Sequence, residues 1–154
     1  MRKKGSPLLL FMLFLLGCAS LPLSPSLPER MRMLEGLGEI RVSLRHLKYE
    51  GQVSVKMEYP CRITATIYGP FGETEAFIKA DESSFLFVLG EEVMEDREAF
   101  EKIFHVSLEG LLDAFLTGEE KGGLMRKRRG RDLCVLGEAG EICIRFSEVV
   151  ALPS

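Results

Sequence analysis

Four cysteines are the residues whose chemistry is hardest to replace in this chain: Cys18, Cys61, Cys134 and Cys143. A thiol can be alkylated, can bond to a second thiol, or can hold a soft metal once it is deprotonated. Cys134 and Cys143 are nine apart, with no second pair to complete a zinc set, and oxidation competes with metal there. The other reactive types are thinly spread. His46 and His105 are the only histidines, and neither stands in a metal or nucleophile pattern. The serines lie mainly in linkers, caps and turns, with no G-x-S-x-G elbow. Glu91, Glu92, Glu95 and Asp96 are acidic enough to suggest calcium, but they lack the twelve-position loop that would hold it, and an acidic loop explains them. The expectation is a protein that is not an enzyme and carries no cofactor or metal.

Cys18 differs from the other three in what precedes it. Arg2, Lys3 and Lys4 form a positive start, Leu8 to Leu16 is an unbroken apolar run, and the small Gly17 comes directly before the cysteine. Nine apolar residues cannot cross about 30 Å of hydrocarbon, which takes about 20 in a helix. The pattern is that of an export signal. Its end, Leu15-Leu16-Gly17-Cys18, resembles the lipobox of bacterial lipoproteins. That resemblance implies diacylglyceryl attachment to the Cys18 thiol, cleavage just before it, and usually acylation of the freed amine. The alternative is a soluble signal peptide followed by an incidental cysteine.

Three segments follow from this: a signal peptide at 1–17, a tether at 18–28, and a domain at 29–154. The tether is Ser/Pro/Leu-rich from Ala19 onward, and Pro22, Pro25 and Pro28 exclude a helix. The class often keeps a lipoprotein at the inner membrane by an aspartate after the lipidated cysteine. Ala19 stands there, so in a cell with two membranes the resemblance implies the outer membrane, periplasmic face. Loss of the first 17 residues takes the basic count from 20 to 17 against 23 acidic residues, a formal charge of about −6. Nothing in that balance suggests a nucleic-acid partner.

The domain reads as mainly β with a small helical part. Glu29 to Leu37 is expected to make a brief helix, from Met31, Leu34 and Leu37 at three-residue spacing with a glycine stop at Gly36 or Gly38. From Ile40 the apolar period becomes two. A turn around Gly51 is expected at Lys48 to Gln52, followed by strands at Val53–Tyr59, Cys61–Tyr68, Glu73–Lys79 and Ser84–Leu89. Pro60 falls at a break, Gly69-Pro70-Phe71-Gly72 makes a tight turn, and Ala80 to Ser83 makes another. Strands in such succession give an antiparallel meander.

Two helices follow. Ala99, Phe100, Ile103 and Phe104 form the stripe of the first. In the second, Leu108, Leu111, Leu112, Phe115 and Leu116 recur at three and four, Ser107 caps the start and Gly118 lies just past the end. Either the helices simply cover the sheet, or they form a lid that leaves a cavity lined by Phe100, Ile103, Leu108, Leu111, Leu112 and Phe115.

Met125 to Arg131 is the one strong charge cluster. It reads as a solvated hairpin edge, as a contact for anionic phospholipid, or least of all as a nucleic-acid site. Leu133 to Phe146 is a hairpin about Gly137 to Gly140. A symmetrical turn sets Cys134 opposite Cys143, close enough for a disulfide, with two packed thiols as the alternative. Cys61 is left as a free thiol.

From about Gly36 to Gly118 the chain resembles the LolA/LolB-like lipoprotein-carrier and lipoprotein-receptor superfamily. The points of likeness are Gly38-Glu39-Ile40-Arg41-Val42, Tyr59-Pro60-Cys61-Arg62-Ile63, Gly69-Pro70-Phe71-Gly72, and Val106-Ser107-Leu108-Glu109-Gly110-Leu111-Leu112 leading to Leu116-Thr117-Gly118. The resemblance implies an incomplete, curved antiparallel barrel with a helical lid that shields acyl chains of lipoproteins from water. It is closest to the lipid-anchored LolB-like branch, in which an apolar residue of the glycine-proline turn projects and aids insertion into the membrane; the matching residue is Phe71. The partners implied are the membrane, acylated lipoproteins and a periplasmic carrier. The alternatives are a structural lipoprotein bound to an envelope-assembly complex, and a general binder of lipid or another hydrophobic ligand. The family continues with more strands than the hairpin and tail at 133–154 are expected to supply.

Overall fold

Alternation of buried and exposed residues carries most of this chain into one sheet. The computed structural model describes residues 27–130 and 132–154. Strands β1 (Met31–Leu44), β2 (Leu47–Glu58), β3 (Arg62–Tyr68), β4 (Thr74–Ala80), β5 (Phe85–Leu89) and β6 (Glu92–Met94) precede two helices, α1 (Arg97–Phe104) and α2 (Leu108–Thr117). Strands β7 (Met125–Arg129), β8 (Asp132–Gly137) and β9 (Gly140–Pro153) end the chain. All nine lie in a single curved, unclosed antiparallel sheet in the order β6-β5-β4-β3-β2-β1-β9-β8-β7. The fold is mainly β, with 59% of the residues in strands.

The first strand corrects the expected helix at Glu29 to Leu37. Met31 to Leu44 is continuous strand, paired with β2 on one side and β9 on the other. Its inward positions at 36 and 38 are both glycine, so the alternation of apolar side chains lapses there and leaves Leu34 and Leu37 at a helix-like spacing. Space explains the glycines. A Cβ on Gly38 would stand 2.2 Å from the Arg145 backbone oxygen, and one on Gly36 would stand 2.6 Å from the Glu148 oxygen and 2.8 Å from the Phe146 ring. Strand β9 presses in here, with a register shift between Leu37 and Gly38. Gly38→Ala should therefore cost about 1–3 kcal/mol, the usual penalty of overpacking, read as a lower midpoint in denaturant unfolding.

The β1–β2 turn also moves. It is the two-residue connection Arg45-His46, with Leu44 opposite Leu47. Gly51 lies inside β2 opposite Ile40, with the Tyr49 ring so close that a Cβ at Gly51 would be 2.8 Å from it. Other joints fall where the sequence puts them: Tyr59-Pro60-Cys61 breaks the ladder between β2 and β3, and Gly69 to Glu73 turns β3 into β4. The C-terminal tail is not an appendage. Strand β9 runs on to Pro153 along the full length of β1, so one sheet includes both halves of the chain.

The inner face of the sheet, formed by Val53, Val55, Met57, Ile63, Leu133, Val135, Ile144 and Phe146 among others, makes one core with the helices. Helix α1 begins at Asp96, whose carboxylate accepts from the Glu98 and Ala99 amides; helix α2 begins at Ser107, whose hydroxyl accepts from the Gly110 amide. Glu101 joins them by accepting from Arg97 Nε at 3.1 Å and from the Leu108 amide at 2.9 Å. Among the described residues no helix is long and apolar enough to cross a membrane.

Candidate functional site

The β3–β4 turn holds the most exposed large apolar side chain of the described part. Pro70 fixes one backbone dihedral, and Gly72 takes φ +82, which a side chain would resist. Three hydrogen bonds fix the shape: Gly69 N–H to the Glu73 carbonyl at 2.8 Å, Gly72 N–H to the Gly69 carbonyl at 3.0 Å, and Phe71 N–H to the Glu73 carboxylate at 3.0 Å. With its backbone held this way, Phe71 projects outward, 93% exposed. A single exposed ring is ordinary on a protein surface, but one held outward by its own turn offers about 1.5–3 kcal/mol of transfer free energy to an apolar phase it meets.

Behind that turn Tyr49 donates a hydrogen bond from its hydroxyl to the Glu75 carboxylate. Burial, that hydrogen bond and the charges of Glu75 and Glu73 together push the Tyr49 phenol up to about 12 from 10.0. A raised phenol pKa favours the folded chain fully below pH 10.0, and that contribution is lost as the pH climbs from there through about 12. In an absorbance titration of the three tyrosines, one ionisation should come late, and it should be absent from Tyr49→Phe. A Tyr49→Phe curve matching the wild type would contradict the pairing.

The expected lid residues do not all behave alike. Leu108, Leu112 and Phe115 are each 1% exposed, and Leu111 and Phe100 are also buried. A side chain that water cannot touch borders no water-sized void, so Leu108, Leu112 and Phe115 pack directly and line no open cavity. Phe100 is the centre of an aromatic cluster, 5.2 Å from Phe85, 5.0 Å from Phe87 and 4.8 Å from Phe104, measured between ring centroids. Ile103 has to be corrected: it is 45% exposed on the outer side of α1, away from the sheet. Leu47, Ile67, Ile78, Phe87, Met94 and Ile142 pack against the core while remaining half-buried. The period-two alternation places Ile67 and Ile78 on one strand face each, and the late hairpin register sets Ile142 opposite Val135; Leu47 and Met94 stand at strand ends, where alternation gives no signal.

Cys18, the signal peptide at 1–17 and the tether up to 26 lie outside the described residues. Cys134 and Cys143 are paired in register across β8 and β9, and their sulfurs are bonded to each other. Glu141 lies close enough to complete a three-residue metal grouping with them, but bonded sulfurs offer no thiolates. Among the described residues Cys61 is the free thiol, half-buried, with Arg97 Nη1 at 3.6 Å from its sulfur. Within the acidic loop, Asp96 is used as the cap of α1. His105 ends α1 in the left-handed conformation at φ 52, and His46 occupies the β1–β2 turn.

The basic run forms the edge strand β7, and two of its arginines face the chain entry. Arg128 donates to the Leu27 and Pro28 carbonyls at 2.8 and 2.6 Å. Arg126 donates to the Glu29 carbonyl at 2.5 Å and to the Phe115 carbonyl near the end of α2 at 3.2 Å. These bonds hold the stretch leading out of the tether against the sheet edge. No family model matches the chain, and no curated protein matches it.

Proposed function

We propose that this protein is a lipid-anchored receiver of acylated lipoproteins at the periplasmic face of the outer membrane, with a role like that of LolB-like receptors, to which its sequence bears a resemblance. The observation that carries the proposal is Phe71, held fully out on a turn fixed by its own hydrogen bonds. The ring enters the apolar margin of a bilayer while the lipid on Cys18 keeps the domain beside it. To shelter the acyl chains of cargo the packed interior would have to open, and the half-buried Ile67, Ile78 and Phe87 are the apolar side chains at its margin. No covalent step is required, since chains pass between apolar sites according to the area kept from water.

Capture of cargo is the test. Full-length protein in detergent, mixed with one lipoprotein in acylated and unacylated forms, should retain the acylated form alone. Retention of neither form would overturn the proposal, and equal retention of any diacyl lipid would make the protein a general lipid binder.

A second reading rests on a different surface. Leu37, Val150 and Leu152 are 46%, 62% and 39% exposed on the outward face of β1 and β9, interleaved with Glu148 opposite Leu37 and Glu35 opposite Val150. Such a patch suits a protein partner, as a structural member of an envelope assembly would need. Failure to capture acylated cargo, together with recovery of a stable envelope complex lost in Val150→Glu, would favour it.

A further inference from the structure

The two arginines that grip the chain entry leave the rest of β7 with another task. Lys127 and Arg129 alternate with them along the strand and are exposed; neither forms a salt bridge among the described residues, Arg129 standing opposite Asp132, whose carboxylate Arg145 already pairs. Residues 1–26 contain no aspartate or glutamate that could serve. The chain departs toward Cys18 from Leu27, which Arg128 binds. Eight residues stand between Cys18 and Leu27, so the span is at most about 30 Å even when fully extended. Strand β7 is therefore tied, through its own side chains, to the segment that leads to the anchor.

Charge separates this edge from the turn that carries Phe71. Glu73 lies within that turn, and the neighbouring β5–β6 turn, joined to β4 by the Gly90 amide and the Glu75 carbonyl, adds Glu91, with Glu92 next to it at the start of β6. The processed chain is acidic overall, so an anionic surface repels most of its faces and attracts this one. We propose that the β7 edge seats the domain on anionic phospholipid headgroups beside its tether, through Lys127 and Arg129. The proposal rests on the lipid-anchored reading of Cys18 and adds the orientation in which the anchored domain waits. It is separate from contact by Phe71, which occurs at another part of the sheet.

The test uses the full, lipid-bearing protein reconstituted in vesicles of phosphatidylcholine, with or without phosphatidylglycerol. Hydrogen exchange is followed along β7, with α2 as the internal measure of folding. Phosphatidylglycerol should slow exchange at β7 by up to roughly thirtyfold, the factor expected of two basic residues near such a surface. Raised salt, or Lys127→Gln with Arg129→Gln, should abolish the slowing while α2 is unchanged. Phe71→Glu should leave it intact. Equal β7 exchange on both vesicle types, or slowing that survives the double substitution, would overturn the proposal. Cargo capture in detergent needs no bilayer, and mass measurement reports the Cys18 lipid directly, so failure of either is distinguishable from failure of the edge to seat.

Discussion

Replacement of Cys18 by serine should abolish diacylglyceryl attachment and move the chain out of the membrane fraction. A serine hydroxyl cannot form the thioether that the lipobox-like Leu15-Leu16-Gly17-Cys18 implies, and processing before residue 18 depends on that lipid in the class it resembles. The effect should be close to all-or-none. Each buried methylene contributes about 0.8 kcal/mol, so two or three acyl chains hold a protein firmly, whereas one chain binds only reversibly. The remaining apolar segment, Leu8 to Leu16, is too short to span a bilayer. The checks are fractionation and the mass of the mature N-terminal peptide. An unchanged membrane fraction with a mature terminus elsewhere would contradict the anchor.

The second large effect is expected from Phe71→Glu, and it should fall on delivery rather than on folding. The ring is 93% exposed, so its removal should change stability by less than about 0.5 kcal/mol. Moving a phenylalanine side chain from water to an apolar phase is worth about 1.5–3 kcal/mol, or roughly ten- to more than a hundredfold in a contact equilibrium. Glutamate forfeits that term and adds a charge beside Glu73, so cargo should still be captured in detergent but enter bilayers at least about tenfold more slowly. In the proposed role the anchor and the turn would be complementary. A single ring is far too weak to hold a domain at a bilayer, and the lipid on Cys18 would supply that hold.

The sequence reveals most where one face of a strand is simply apolar and the other simply wet. Strands β3 to β5, the turn at Gly69 to Gly72 and the register that opposes Cys134 to Cys143 are legible for that reason. Helix α2 is legible because its apolar spacing, its Ser107 cap and the glycine after it agree. The first half of β1 is hidden because backbone approach, rather than a side chain, fills the space at Gly36 and Gly38. Gly51 misleads in the same manner, standing under the Tyr49 ring rather than at a turn. Arg126 and Arg128 look like solvated charges in one dimension, since their acceptors are carbonyls about a hundred residues away or on α2. Ile103 fails as a lid residue because α1 is short and turns only Phe100 and Phe104 fully inward.

The most direct measurement is delivery of an acylated lipoprotein from the full-length protein into liposomes, followed for the wild type and Phe71→Glu side by side, with thermal unfolding as the control for folding. The wild type should load the liposomes, and Phe71→Glu, equally stable and equally charged with cargo, should load them at least about tenfold more slowly. Equal delivery by the two at equal stability would contradict insertion through the turn, and no delivery by the wild type would contradict the receiver itself.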